Sequence, residues 1–95
     1  MSDTDYHEPA TGLSDEASNM HTALVSLTEE LTAIDLYNQR ADVCADKELK
    51  AIMLHNRDDE KEHASMLLEW IRRNDPAFSS EMKDCLFTKK SISKL

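Results

Sequence analysis

Residues 47–76 read KELKAIMLHNRDDEKEHASMLLEWIRRNDP, and this stretch decides the fold. Leu49, Met53, Asn56, Glu60, His63, Leu67 and Trp70 recur at alternating steps of four and three, the spacing of one face of an α-helix. Ile52, Ala64 and Ile71 flank the same stripe. Asp46 stands where an N-cap belongs. The helix should end near Asn74, because Asp75-Pro76 resists its continuation. Asp75 then caps a short third helix that has Pro76 at its first position and Phe78, Met82, Cys85 and Leu86 on one side.

Upstream, Leu13, Ala17, Met20, Leu24, Leu27, Leu31 and Ile34 repeat the same alternation. Ser14 is the N-cap, and Asp15 and Glu16 follow in the first turn, where the helix dipole favours acids. This predicts a helix from about residue 14 to about residue 42. Residues 43–46 connect it to the second. Residues 1–12 have no period and read as a flexible N-terminal tail, 13–87 as the helical domain, and 88–95, TKKSISKL, as a flexible basic tail. One Gly and two Pro in 95 residues leave little room for the turns of a sheet. The fold class is therefore all-α: a two-helix antiparallel hairpin with a short C-terminal helix.

Nineteen acidic and eleven basic residues leave a net charge of −8. That disfavours nucleic-acid phosphates and anionic membranes as partners and favours cations. No apolar run reaches the roughly 20 residues of a membrane span. MSDTDYHEP carries no secretory signal, so a cytoplasmic location is expected. Cys44 and Cys85 are far apart, match no metal spacing, and are expected as reduced thiols. A chain this small with two long apolar stripes must bury them against something else. Self-association follows as an expectation before any motif is read.

Polar residues interrupt the second stripe. Glu60 lies within about 20° of its centre and His63 within about 40°, whereas Glu62 points about 140° away. A carboxylate in a helix seam costs several kcal/mol unless it is paired, protonated or bound to a cation. Glu60 and His63 are three apart, so both side chains reach one point, as in the Glu-x-x-His pairs of di-iron and di-manganese bundles. Taken alone, so short and common a pattern is more often a buried Glu–His ion pair, or a seam that ends early with both side chains solvated. The first helix supplies Glu30 on the shoulder of its stripe, with Tyr37 about 20° further round, while Glu29 points away. A bundle site for two metals takes a Glu from each of two helices and Glu-x-x-His from two others. Glu30, Glu60 and His63 are half of that set, and a two-fold dimer doubles it. Its oxygen-rich donors suit iron or manganese.

EELTAIDLYNQR at 29–40, HNRDDEKEHASMLLEWIRRNDP at 55–76 and LFT at 86–88 resemble the encapsulated ferritins, small ferritin-like proteins carried inside bacterial and archaeal encapsulin nanocompartments. The resemblance covers about residues 20–88. It implies a homodimer forming a ferritin-like four-helix bundle, an annular decamer of such dimers, and a di-iron ferroxidase centre at the dimer interface. It also implies an encapsulin shell protein as partner and a location within that nanocompartment. By position Glu30, Glu60 and His63 match the iron ligands, Tyr37 the tyrosine beside them, and His55 a histidine near the metal-binding interface. Glu29 matches one member of an outer metal-binding site whose other positions are Thr32 and Leu36 here. The expected activity is oxidation of Fe(II) by O₂, supplying iron for mineralisation and storage in the shell. The alternatives are a non-catalytic metal-binding dimer and a purely structural helical module.

Overall fold

The computed structural model describes residues 6–94. They form three α-helices: α1 over Asp15–Val43, α2 over Lys47–Asn74 and α3 over Pro76–Cys85. No strand occurs among the described residues. Each helix begins where a short polar side chain satisfies an otherwise unpaired backbone N–H. Ser14 Oγ accepts from the Ala17 amide at 3.1 Å, Asp46 Oδ1 from Leu49 at 2.8 Å, and Asp75 Oδ1 from Phe78 at 3.0 Å. Asp75 both ends α2 and starts α3, with extended backbone angles of −142° and 96°. Cys44, Ala45 and Asp46 link α1 to α2, so Val43, expected in the connection, instead closes the last turn of α1. So short a link returns the chain antiparallel beside itself.

The expected tails lie partly outside the described residues, at 1–5 and at Leu95. Their described parts carry single 3₁₀ turns at Ala10–Gly12 and Ile92–Lys94, and the Tyr6 ring rests on His21 with centroids 3.9 Å apart. Both cysteines are free thiols. No helix of the described residues is long and apolar enough to cross a membrane.

The hairpin core is small. Ala23 and Ala41 of α1 and Ala64 and Ile71 of α2 are its buried apolar residues. Methyl side chains at the contact let the two backbones approach closely. The contact line on each helix is rotated by about 60° from the centre of the stripe read in the sequence. Leu27 and Ile34 are half-buried as that stripe requires, but Leu24 and Leu31 are exposed, Leu31 by 53%. On α2 the exposed members include Leu49, Ile52 and Trp70. The stripe is too wide for one hairpin contact. Part of it packs within the chain and part is left on the surface.

α3 is tied to the end of α2 by polar contacts. Arg72 Nη1 donates to Ser79 Oγ at 3.4 Å, and Ser79 is the buried polar residue of the fold.

Candidate metal centre

Glu60 and His63 stand one turn apart on α2, and the hairpin brings Glu30 of α1 against them. His63 Nδ1 lies 3.4 Å from Glu60 Oε2 and 3.6 Å from Glu30 Oε2. One donor atom from each residue falls within 4.8 Å of the other two. Both carboxylate side chains are 24% exposed, and the imidazole is 52% exposed. The cluster therefore sits at the edge of the α1–α2 contact, with the two acids inward and the histidine on the open side.

The donor set fits a divalent cation. An ion with bonds near 2.1 Å holds its ligand atoms up to about 4.2 Å apart, so a small inward movement of the side chains closes the present spacing. Glu30 Oε2 is buried and has no hydrogen-bond partner. A buried carboxylate oxygen left in that state is unfavourable, and a bound cation removes the penalty. Two carboxylates and one imidazole offer a hard, mostly oxygen donor set, which suits iron or manganese better than a thiolate-rich zinc site.

Two other acids of α2, Glu69 and Asp58, are met by basic side chains within the chain. Glu69 accepts from Arg72 Nε at 2.7 Å, Arg72 Nη2 at 2.6 Å and Arg73 Nε at 2.6 Å. The hydrogen bonds from Arg72 and then Arg73 hold its carboxyl well below the usual range, at about 2. Arg57 and Lys61 likewise hold the Asp58 carboxyl low, Arg57 through the larger effect. No lysine or arginine is paired with Glu30 or Glu60 among the described residues.

The remaining sequence candidates lie apart from the triad. Tyr37 is half-buried two turns further along α1, and the Arg40 guanidinium sits 5.9 Å from its ring centroid. Glu29 is exposed and turned about 100° from Glu30. His55 is on α2 two turns before His63, where Nε2 meets Asp59 Oδ2 at 3.2 Å in an exposed pair. A contact that sequence reasoning missed is Arg57 Nη1 donating to Asn38 Oδ1 at 3.2 Å across the hairpin. Within RDDEKE, Arg57 reads as one charge of a solvated run, and no local spacing points to Asn38.

The site opens toward an apolar strip. Ile52, Asn56, His63 and Trp70 fall within about 40° of one another on α2. Ile52 and Trp70 are both exposed.

Residues 5–89 match the EncFtn-like family. The chain is 52% identical over 87 residues to an encapsulated ferritin-like protein of Rhodospirillum rubrum, a match covering 92% of this chain and 62% of that one. The chain thus spans less than two thirds of that relative's length. It is 43% identical over 90 residues to a ferritin-like protein of Thermotoga maritima, covering 95% of this chain and 79% of the relative. A crystal structure of a Nitrosomonas europaea protein superimposes with a TM-score of 0.90 at 67% identity, covering 93% of this chain and 97% of that one.

Proposed function

The chain belongs to the EncFtn-like family, and from that premise we propose that it is a ferroxidase whose di-iron centre is completed by a second copy of the chain. The observation that carries the reading is the triad of Glu30, Glu60 and His63, with its unpartnered Glu30 oxygen, set beside an exposed apolar strip. Three donors are too few to hold an ion pair. A two-fold related copy covering Ile52 and Trp70 would bring a second triad to the first, giving four carboxylates and two imidazoles. Burial of the strip would drive the association, and the family resemblance extends it to an annular decamer.

In this reading Fe(II) is the substrate. Glu60, central in the seam, would be shared between the two ions, with Glu30 and His63 completing the donors to each. The carboxylates stabilise the higher charge of Fe(III), which lowers the cost of oxidation. Two Fe(II) would each give up one electron to one O₂, which with two protons from solvent would leave as hydrogen peroxide. Tyr37, two turns from the triad in its own chain, would hydrogen-bond a ligand or donate an electron at the completed centre, or serve packing alone. The net charge of −8 concentrates Fe(II) near the protein. A relative named as encapsulated supports an encapsulin shell as the partner and its interior as the location, with iron stored there after oxidation.

The test is an anaerobic Fe(II) titration followed by native mass spectrometry, then admission of air with oxygen uptake recorded. The reading requires two irons per dimer and oxygen consumption, both lost in Glu30→Ala and His63→Ala. Binding without oxygen uptake would leave a metal buffer. Absence of binding would leave the Glu60–His63 contact as a structural pair.

A further inference from the structure

Three donors on two helices meet only if the helices hold their axial register. The buried apolar residues of the hairpin are Ala23, Ala41, Ala64 and the fully buried Ile71, whose burial is non-directional and leaves the axial register to be sharpened by polar contacts. Apart from the Glu30–His63 approach, the side-chain polar contact that crosses the hairpin among the described residues is Arg57 Nη1 to Asn38 Oδ1, at 3.2 Å. Arg57 is itself held on α2. Its Nε and Nη2 each lie 3.2 Å from Asp58 Oδ1, and the side chain is 25% exposed. Arg57 precedes Glu60 by three residues, about 4.5 Å of helix rise.

We propose that Arg57 and Asn38 form a register clamp that sets the spacing between Glu30 and the Glu60–His63 pair, acting as positioning residues for the metal centre. The inference rests on the reading of that triad as an iron site. A hydrogen bond has a preferred length and angle, so it adds resistance to sliding beyond that of the apolar packing. The triad needs that resistance, because its donors come from two helices and must stay within 4.8 Å of one another. Residues that hold metal ligands in place typically cost ten- to a hundredfold in metal affinity when removed.

The charge of Arg57 makes the idea testable by sign. A cation one turn from the site opposes binding of Fe(II) through its field. Removing it tightens binding if the field is all that matters, and weakens binding if the clamp matters. Asn38 is uncharged and reports the clamp without the field.

The experiment measures anaerobic Fe(II) affinity for the full chain and for Asn38→Ala, Arg57→Met, the double variant and Asn38→Gln, with helicity followed by circular dichroism. We expect about tenfold weaker binding in Asn38→Ala and in Arg57→Met, no further loss in the double variant, and partial recovery in Asn38→Gln, which keeps an uncharged acceptor. If Arg57→Met fails to fold, Asn38→Ala carries the test. A metal-free double-mutant cycle by thermal unfolding should also return a non-zero coupling between the two residues. Unchanged binding in Asn38→Ala, or tighter binding in Arg57→Met, overturns the clamp while leaving the iron site intact. Failure of the unsubstituted chain to bind Fe(II) overturns the site reading, and the clamp with it.

Discussion

Glu69 and Glu30 are both carboxylates of the hairpin, and they differ in what surrounds them. Glu69 is gripped by Arg72 and Arg73 at 2.6–2.7 Å on the outer side of α2. Glu30 faces a second carboxylate and an imidazole, with its buried oxygen unpartnered. A carboxylate whose charge is met within the chain needs nothing more and serves the structure. A partly buried pair of carboxylates whose charge is unmet draws a cation. His55–Asp59 makes the same point for histidine. It has the local ingredients of the Glu60–His63 pair, but it is exposed and joins no third donor from α1. The helix crossing separates a candidate site from a surface pair.

The contrast breaks most sharply at Glu60. In Glu60→Leu the centre loses a central donor while the seam gains an apolar side chain. We expect iron affinity and oxygen uptake to fall more than about a hundredfold, with the metal-free melting temperature unchanged or raised. A strongly lowered metal-free melting temperature would instead make Glu60 a structural partner of His63.

Next in size is the response to metal. Ions that bind the folded assembly alone stabilise it by about 2.7 kcal/mol at a hundredfold excess over the dissociation constant. Anaerobic Fe(II) should raise the melting temperature of the unsubstituted chain and leave that of Glu30→Ala in place. An equal rise in both would move the binding away from the triad.

His55→Ala should change iron affinity by no more than about twofold, since an exposed pair contributes little. A tenfold loss at this position would erase the distinction between the two histidines. The smallest effect concerns Glu69 in acid. Its folded carboxyl titrates at about 2 against an ordinary 4.5, so the stability from the arginine contacts is present above pH 4.5 and is lost as pH falls toward 2. Glu69→Gln should therefore show a shallower decline in melting temperature across that window. The side chain is 42% exposed and its charge is screened by solvent, so the change is small. Parallel curves for the two proteins would remove Glu69 from the acid response.

Much of the fold was legible because helix boundaries are local. Ser14, Asp46 and Asp75 were readable as caps from their own neighbours, and each caps the helix that follows it. Glu60 and His63 were legible as a pair for the same reason, since three residues on a helix is a fixed distance and angle. Glu30 was legible as the inward member of Glu29-Glu30 from its angle to the stripe. Leu24 and Leu31 illustrate what was not. They belong to the apolar stripe by spacing, but the contact line passes through Ala23 and Ala41, and both leucines stay on the surface of the single chain.

The amino-acid sequence by itself determined the three helices, the caps at which they start, and the angular place of every polar residue on its own helix. Tertiary structure alone decided how far each helix rotates against the other, that Glu30 Oε2 comes to 3.6 Å from His63 Nδ1, and that Arg57 reaches Asn38. Periodicity specifies positions within a helix and says nothing about rotation or sliding between two helices. Those two variables are set by which small side chains let the backbones approach and which polar groups meet once they have.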